Sequence, residues 1–106
     1  MVKQYEIYWV ALDPTLGSEI NKIRPCLIIS PNESNTLLNT ILIAPITSAI
    51  RNFPMRMIIE LENKKGQICL DQIRCIDKLR LKNKINQLSN SNILSLKNLI
   101  LEYLVE

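Results

Sequence analysis

Apolar residues concentrate in short runs with strand character over the first four-fifths of the chain and then change period. YEIYWVAL (5–12), CLIIS (26–30), TILIAPI (40–46) and MRMIIEL (55–61) are rich in β-branched and aromatic residues, and Pro, Asn or Lys-Gly clusters bound them. Each reads as a strand. ENKKGQ (62–67), with Gly66 near its end, has the composition of a hairpin turn, and QICL (67–70) and IRCID (73–77) continue the sheet. From Ser89 onward the pattern is helical. Ser and Asn open the segment 89–106, neither Pro nor Gly interrupts it, and apolar residues fall at 93, 96, 100, 103 and 104, widened by 94, 99 and 101. This predicts a C-terminal helix packed on a sheet.

The longest connection without a pattern is DPTLGSEINKIR (13–24), beyond ordinary hairpin length, and such loops in small domains commonly carry function. A sheet of this size needs closure or cover to protect its edges, so a small barrel with one helix across it is the economical arrangement. The 106 residues fit a single domain over 1–106. No apolar run approaches the roughly 18 residues that span a bilayer, so a cytoplasmic protein without membrane association is expected.

Composition narrows the chemistry. With 47% hydrophobic and 22% charged residues the chain has the makings of a folded core. The absence of histidine removes the commonest general base and the commonest metal ligand. Two glycines, Gly17 and Gly66, cannot build a glycine-rich phosphate cradle, which excludes ordinary nucleotide hydrolysis and dinucleotide redox chemistry. Cys26, Cys69 and Cys75 lack zinc-knuckle spacing and are read as small buried hydrophobes. Neither a metal nor a cofactor is expected.

The net charge of +3 leans towards an anionic partner. Arg51 and Arg56 flank Asn52-Phe53-Pro54, while Lys78, Arg80, Lys82 and Lys84 alternate with Leu79, Leu81 and Ile85, either as a solvated strand face or as a phosphate-facing stripe. Arg24 precedes Pro25, which disfavours helical backbone at the arginine and aims it from an extended segment. A fixed guanidinium gives two-pronged hydrogen bonds to phosphate and stays charged at every relevant pH. Thr47 and Ser48 end another strand in adjacent hydroxyls. The alternative pairs Arg24 with Glu19 or Asp13 on the surface and leaves Thr47 and Ser48 to begin a turn.

YWVALDPTLGSEINKIRPCLIISPN (8–32), APITS (44–48) and LDQIRCIDKLRL (70–81) occur in the order and spacing of a known family. Together they resemble the MazF/PemK family of type II toxin-antitoxin endoribonucleases over nearly the whole chain. The resemblance implies a mainly β (α+β) fold, a small SH3-like β-barrel of the PemK/CcdB type with a C-terminal α-helix, working as a homodimer. It implies metal-independent, sequence-specific cleavage of single-stranded RNA, commonly mRNA, and a cognate MazE-like antitoxin with an acidic, flexible segment. The family's catalytic arginine falls on Arg24, its catalytic threonine on Thr47 and its loop glutamate on Glu19.

In that reading Arg24 stabilises the phosphate and protonates the leaving oxygen, and Thr47 donates to a non-bridging oxygen. Glu19 either accepts the 2′-hydroxyl proton or orients Arg24. RNA contacts are expected from Gly17, Ser18 and Lys22 in the loop, and from Ser48, Arg51, Arg56 and Gln72, with Asp77 in support. Ala11, Glu6 and Asn21-Lys22 depart from the family pattern, and Lys22 bears on sequence preference. CcdB shares the fold and poisons DNA gyrase without being an enzyme, so the fold alone leaves a gyrase binder or an inactive antitoxin-binding homologue as alternatives.

Overall fold

The computed structural model describes residues 1–12 and 23–105. Its strands are β1 (Glu6–Ala11), β2 (Ile23–Ile28), β3 (Thr40–Thr47), β4 (Arg56–Leu61), β5 (Lys64–Cys69), β6 (Arg74–Asp77) and β7 (Leu81–Gln87). All the pairings are antiparallel, in the order β4-β5-β3-β2-β1-β7, and β6 also pairs with β3. The mainly β fold and C-terminal helix expected from the sequence are present, the sheet curling into a half-barrel.

Strand β3 is the hub because it serves three partners. Thr40–Ile43 pair with β6, Ile43–Pro45 with β2, and Ile46 and Thr47 with β5. The fork gives the sheet two packed sides. Ile7, Leu27, Ala44, Ile46 and Ile68 join Leu96 of the C-terminal helix in one cluster, while Val10, Cys26, Ile28, Ile41 and Ile43 form the other. Cys26, Leu27 and Ile28 are all fully buried, which explains why β2 reads as an unbroken apolar run rather than an alternating one.

Helix α2 (Asn90–Ile100) starts where the serine-asparagine signal placed it, with the Ser89 hydroxyl accepting the Asn92 N–H at 3.2 Å. Leu96 is buried, and Ile93, Leu99 and Ile100 pack at the edge of the same cluster. Beyond Ile100 the chain winds as a π-helix over Leu101–Val105. That wider turn rotates Tyr103 and Leu104 off the inward stripe, so both are exposed although the 3.6-residue period placed them inside.

Three further readings are corrected. The β4–β5 hairpin turns at Glu62 and Asn63, both with positive φ (51° and 67°), as a two-residue loop of the type whose twist suits a hairpin. Gly66 lies inside β5 instead, where a Cβ would come within 2.8 Å of the Ile46 γ-methyl. The run PNESNTL contains a short helix, α1 (Asn32–Leu37), not foreseen from the pattern. Cys26 and Cys69 are buried as expected, but Cys75 is exposed. No helix among the described residues is long and apolar enough to cross a membrane.

Candidate active site

Strands β2 and β3 run antiparallel, so the start of one and the end of the other share a rim. Their pairing is recorded from Ile28↔Ile43 to Cys26↔Pro45 and goes no further. A proline in the last pair and another just past it account for the stop: neither Pro45 nor Pro25 has an N–H to contribute to a ladder. Continuing the register past this point sets Arg24 opposite Thr47, at a place where the strands no longer hold each other by backbone bonds. The two residues singled out from the sequence therefore lie at the same rim, and both line a cavity there.

Thr47 is prepared to donate. Its Oγ1 accepts the Ala49 N–H at 3.2 Å, which fixes the side chain and leaves the hydroxyl proton available. Arg24 and Thr47 both line a cavity of about 450 Å³, together with Arg51, Arg56, Gln72 and Arg74. Four guanidinium-bearing residues around one depression suit it chemically to an anionic group.

Part of the cavity wall is stiffened by a network that the sequence motifs did not reveal. Gln67, 3% exposed, clamps the backbone of Arg51. Its Nε2 donates to the Arg51 carbonyl at 2.7 Å, and its Oε1 accepts the Arg51 N–H at 3.1 Å. Arg56 forms a two-pronged pair with Asp71, Nε to Oδ1 and Nη2 to Oδ2, each at 3.1 Å. Its Nη1 reaches the Gln67 Oε1 at 3.5 Å, and its guanidinium carbon stands 4.8 Å from the centre of the Phe53 ring. The hydrogen bonds from Arg56 hold the Asp71 carboxyl below its ordinary range, ahead of a smaller opposing effect of burial.

A second cavity, about 360 Å³, is also lined by Arg24 and Thr47. Its walls are different in kind: Trp9, Pro25, Ile46, Leu61 and Ile85 are apolar, and Ser48, Glu62, Lys64 and Lys65 supply polar groups of both charges.

Of the sequence-predicted site residues, Arg24, Thr47, Arg51, Arg56 and Gln72 converge on the first cavity and Ser48 lies on the second. Gly17, Ser18, Glu19 and Lys22 lie outside the described residues. The Asp77 Oδ1 accepts the Leu79 N–H at 2.8 Å, capping a 3₁₀ turn at Lys78–Arg80. That turn breaks the run 78–84, so it is no continuous stripe: Leu79 is exposed, Arg80 Nη1 donates to the Ala11 carbonyl at 3.3 Å, and Lys84 Nζ pairs with Glu6 Oε2 at 2.8 Å. Arg74 was missed, although its polar place inside IRCID was the available signal. The two buried thiols offer little nucleophilic character, because burial pushes Cys26 up to about 12 and raises Cys69 as well.

A family model described as PemK-like, MazF-like toxin of type II toxin-antitoxin system matches residues 3–104. The endoribonuclease toxin MazF of Escherichia coli (strain K12) is 30% identical over 79 residues, covering 70% of this chain and 71% of the relative. Endoribonuclease MazF of Staphylococcus epidermidis is 34% identical over 73 residues, 69% of this chain and 61% of the relative. Among solved structures, MazE-MazF (Form-II) from Deinococcus radiodurans aligns with a TM-score of 0.82 at 19% identity, over 97% of this chain and 95% of that one. The last likeness is one of fold.

Proposed function

Because the chain belongs to the PemK-like, MazF-like toxins of type II toxin-antitoxin systems, we propose that it is an endoribonuclease that cuts single-stranded RNA at short sequences with no metal ion. The observation that carries this reading is the meeting of Arg24 and Thr47 at the end of the β2–β3 ladder, on the wall of a cavity lined by four arginines. Relatives named as endoribonucleases support it. The domain extends over 1–106 and acts in the cytoplasm.

The chemistry follows from these residues. The ribose 2′-oxygen attacks the adjacent phosphorus in line, the bond from phosphorus to the 5′-oxygen breaks, and the products carry a 2′,3′-cyclic phosphate and a 5′-hydroxyl. One proton leaves the 2′-hydroxyl, and one is delivered to the 5′-oxygen from Arg24, which regains it from solvent. Arg24 spans two phosphate oxygens and opposes the extra negative charge of the five-coordinate phosphorus, while the Thr47 hydroxyl donates to a non-bridging oxygen. Glu19 takes the first proton or orients Arg24. Guanidinium groups around the phosphate attract the substrate and repel a divalent cation, which favours charge stabilisation by the protein itself.

The partners proposed are a second copy of the chain and an acidic antitoxin segment whose carboxylates occupy the arginine-lined cavity and block RNA. Incubation of the purified protein with a long single-stranded RNA in EDTA, followed by mapping of the ends, tests the activity. Cyclic phosphate ends and full activity in chelator are expected. Replacement of the one ribose 5′ of the scissile phosphate by deoxyribose abolishes cutting. Cleavage of that substrate at the same bond, or dependence on added magnesium, rules the mechanism out. A protein that leaves RNA intact is instead a gyrase binder or an antitoxin-binding homologue.

A further inference from the structure

We propose that the second cavity is a nucleotide subsite, with Trp9 as the surface on which a base stacks and Lys64 and Lys65 as contacts to the neighbouring phosphate. This rests on the nuclease reading and extends it to one side of the scissile bond. Arg24 and Thr47 line both cavities, so a phosphate held between them has RNA leaving it in two directions. One direction enters the arginine-lined cavity. The other enters the cavity of about 360 Å³ beside Trp9, which lies in the size range of small-ligand pockets.

The two cavities differ in the way the two parts of a nucleotide differ. The first is lined by cations suited to phosphate oxygens. The second has the apolar walls that a flat base requires, and the Ser48 hydroxyl, the Glu62 carboxylate and two amines at hand for its polar edges, the carboxylate as an acceptor for the N–H groups of a base. Trp9 stands on β1 opposite Pro25 with 39% of its surface open to solvent, on the face of the strand turned away from the fully buried Val10. An indole in that position offers a π-face to any base, and single-strand binders use such platforms together with nearby cations.

The placement of the lysines depends on the hairpin. Glu62 and Asn63 turn the chain in two residues, so Lys64 begins β5 immediately after the turn. Gly66 then lets β5 approach Ile46 more closely than any side chain would allow, which brings the hairpin against the end of β3 that carries Thr47, with Ser48 the next residue. The cationic rim is thus set beside the reacting phosphate by backbone packing.

Trp9 is the single tryptophan of the chain, so intrinsic fluorescence reads this cavity directly. The probe is an oligonucleotide spanning a mapped cleavage site, with deoxyribose at the one residue that would react. Saturable quenching of Trp9 emission is expected, with the same midpoint as binding followed through a label on the RNA. Lys64→Ala with Lys65→Ala raises KM about tenfold and lowers the salt dependence of binding by about 1.4 in log K against log salt, the value for two single-strand phosphate contacts. Trp9→Phe, which keeps a stacking face, binds more tightly than Trp9→Leu. RNA that is cut by the unaltered protein but binds without changing Trp9 emission, or an unchanged salt dependence in the double lysine variant, overturns the subsite and leaves the nuclease reading standing. Failure of the unaltered protein to cut any RNA removes both.

Discussion

Arg24 and Thr47 each lie two residues beyond Cys26↔Pro45, the last pair of the β2–β3 ladder, and both line the same cavity. A charged fork and a hydroxyl are thereby held on two strands rather than on loops, and strand-borne groups keep their geometry better. Two prolines end the ladder and leave the opening into which both side chains project.

The first prediction concerns what each group supplies. Arg24→Lys keeps the charge and loses the planar fork, and removal of one preorganised donor costs roughly 3 kcal/mol, about a hundredfold in kcat. Arg24→Ala loses more. Thr47→Ser keeps the hydroxyl and retains most activity, whereas Thr47→Val keeps the shape and loses about a hundredfold. Single-turnover cleavage rates, with circular dichroism to confirm folding, check the series; near-normal cleavage by Arg24→Ala would remove Arg24 from the mechanism.

Arg56 makes a second prediction, because its guanidinium is already engaged by Asp71, Gln67 and Phe53. As a brace it positions the wall carrying Arg51; as an RNA contact it binds phosphate. Asp71→Asn breaks the charged pair without touching RNA, and a drop of about tenfold in kcat with an unchanged salt slope of binding is expected from the bracing role. A variant Arg56→Gln that lowers the salt slope by about 0.7 would instead assign Arg56 to a phosphate.

The legibility of the fold follows from the range of the interactions involved. The strands were readable because β-branched and aromatic residues cluster there, and α2 because Ser89 and the stripe at 93, 96 and 100 are local signals. Tyr103 and Leu104 were misplaced by a π turn, whose wider winding has no sequence signature in this segment. Gly66 was assigned to the turn because glycine usually serves there, and its actual use, room for Ile46, is a contact twenty residues away in sequence. The same distinction holds at the site. Arg24 and Thr47 could be chosen from residue type and family resemblance, but the clamp of Gln67 on Arg51 and the pairing of Arg56 with Asp71 join segments about fifteen residues apart and only appear once β4 and β5 are in register.

Gly66→Ala provides the third prediction. The added methyl meets the Ile46 γ-methyl at 2.8 Å, and a β-branched neighbour held in β3 has little freedom to yield. Overpacking of this sort costs about 1–3 kcal/mol, seen as a fall in denaturation midpoint. Ile46→Leu removes the offending branch, so the double variant recovers part of the loss. Equal stability of Gly66→Ala and the unaltered protein would show that the close approach is not a constraint.

The last prediction links acid stability to the base of the sheet. Burial alone would raise the Glu6 carboxyl, but it is outweighed by the hydrogen bond from Lys84, the Lys3 N–H at 2.8 Å and the Tyr8 hydroxyl at 3.1 Å, so the group is held below its ordinary value. A carboxylate whose pKa is lower folded than unfolded stabilises the fold fully above its unfolded value, and that contribution disappears as pH falls through the folded value. Asp71, lowered by Arg56, acts in the same direction. Stability should therefore be level from neutral pH down to the ordinary carboxylate range and decline below it. Glu6→Gln, which keeps the size and removes the titration, should be less stable at pH 7 and lose less on acidification. Denaturant midpoints measured at pH 7 and pH 3 for both proteins check this, and parallel declines in the two would show that Glu6 contributes nothing to the acid limb.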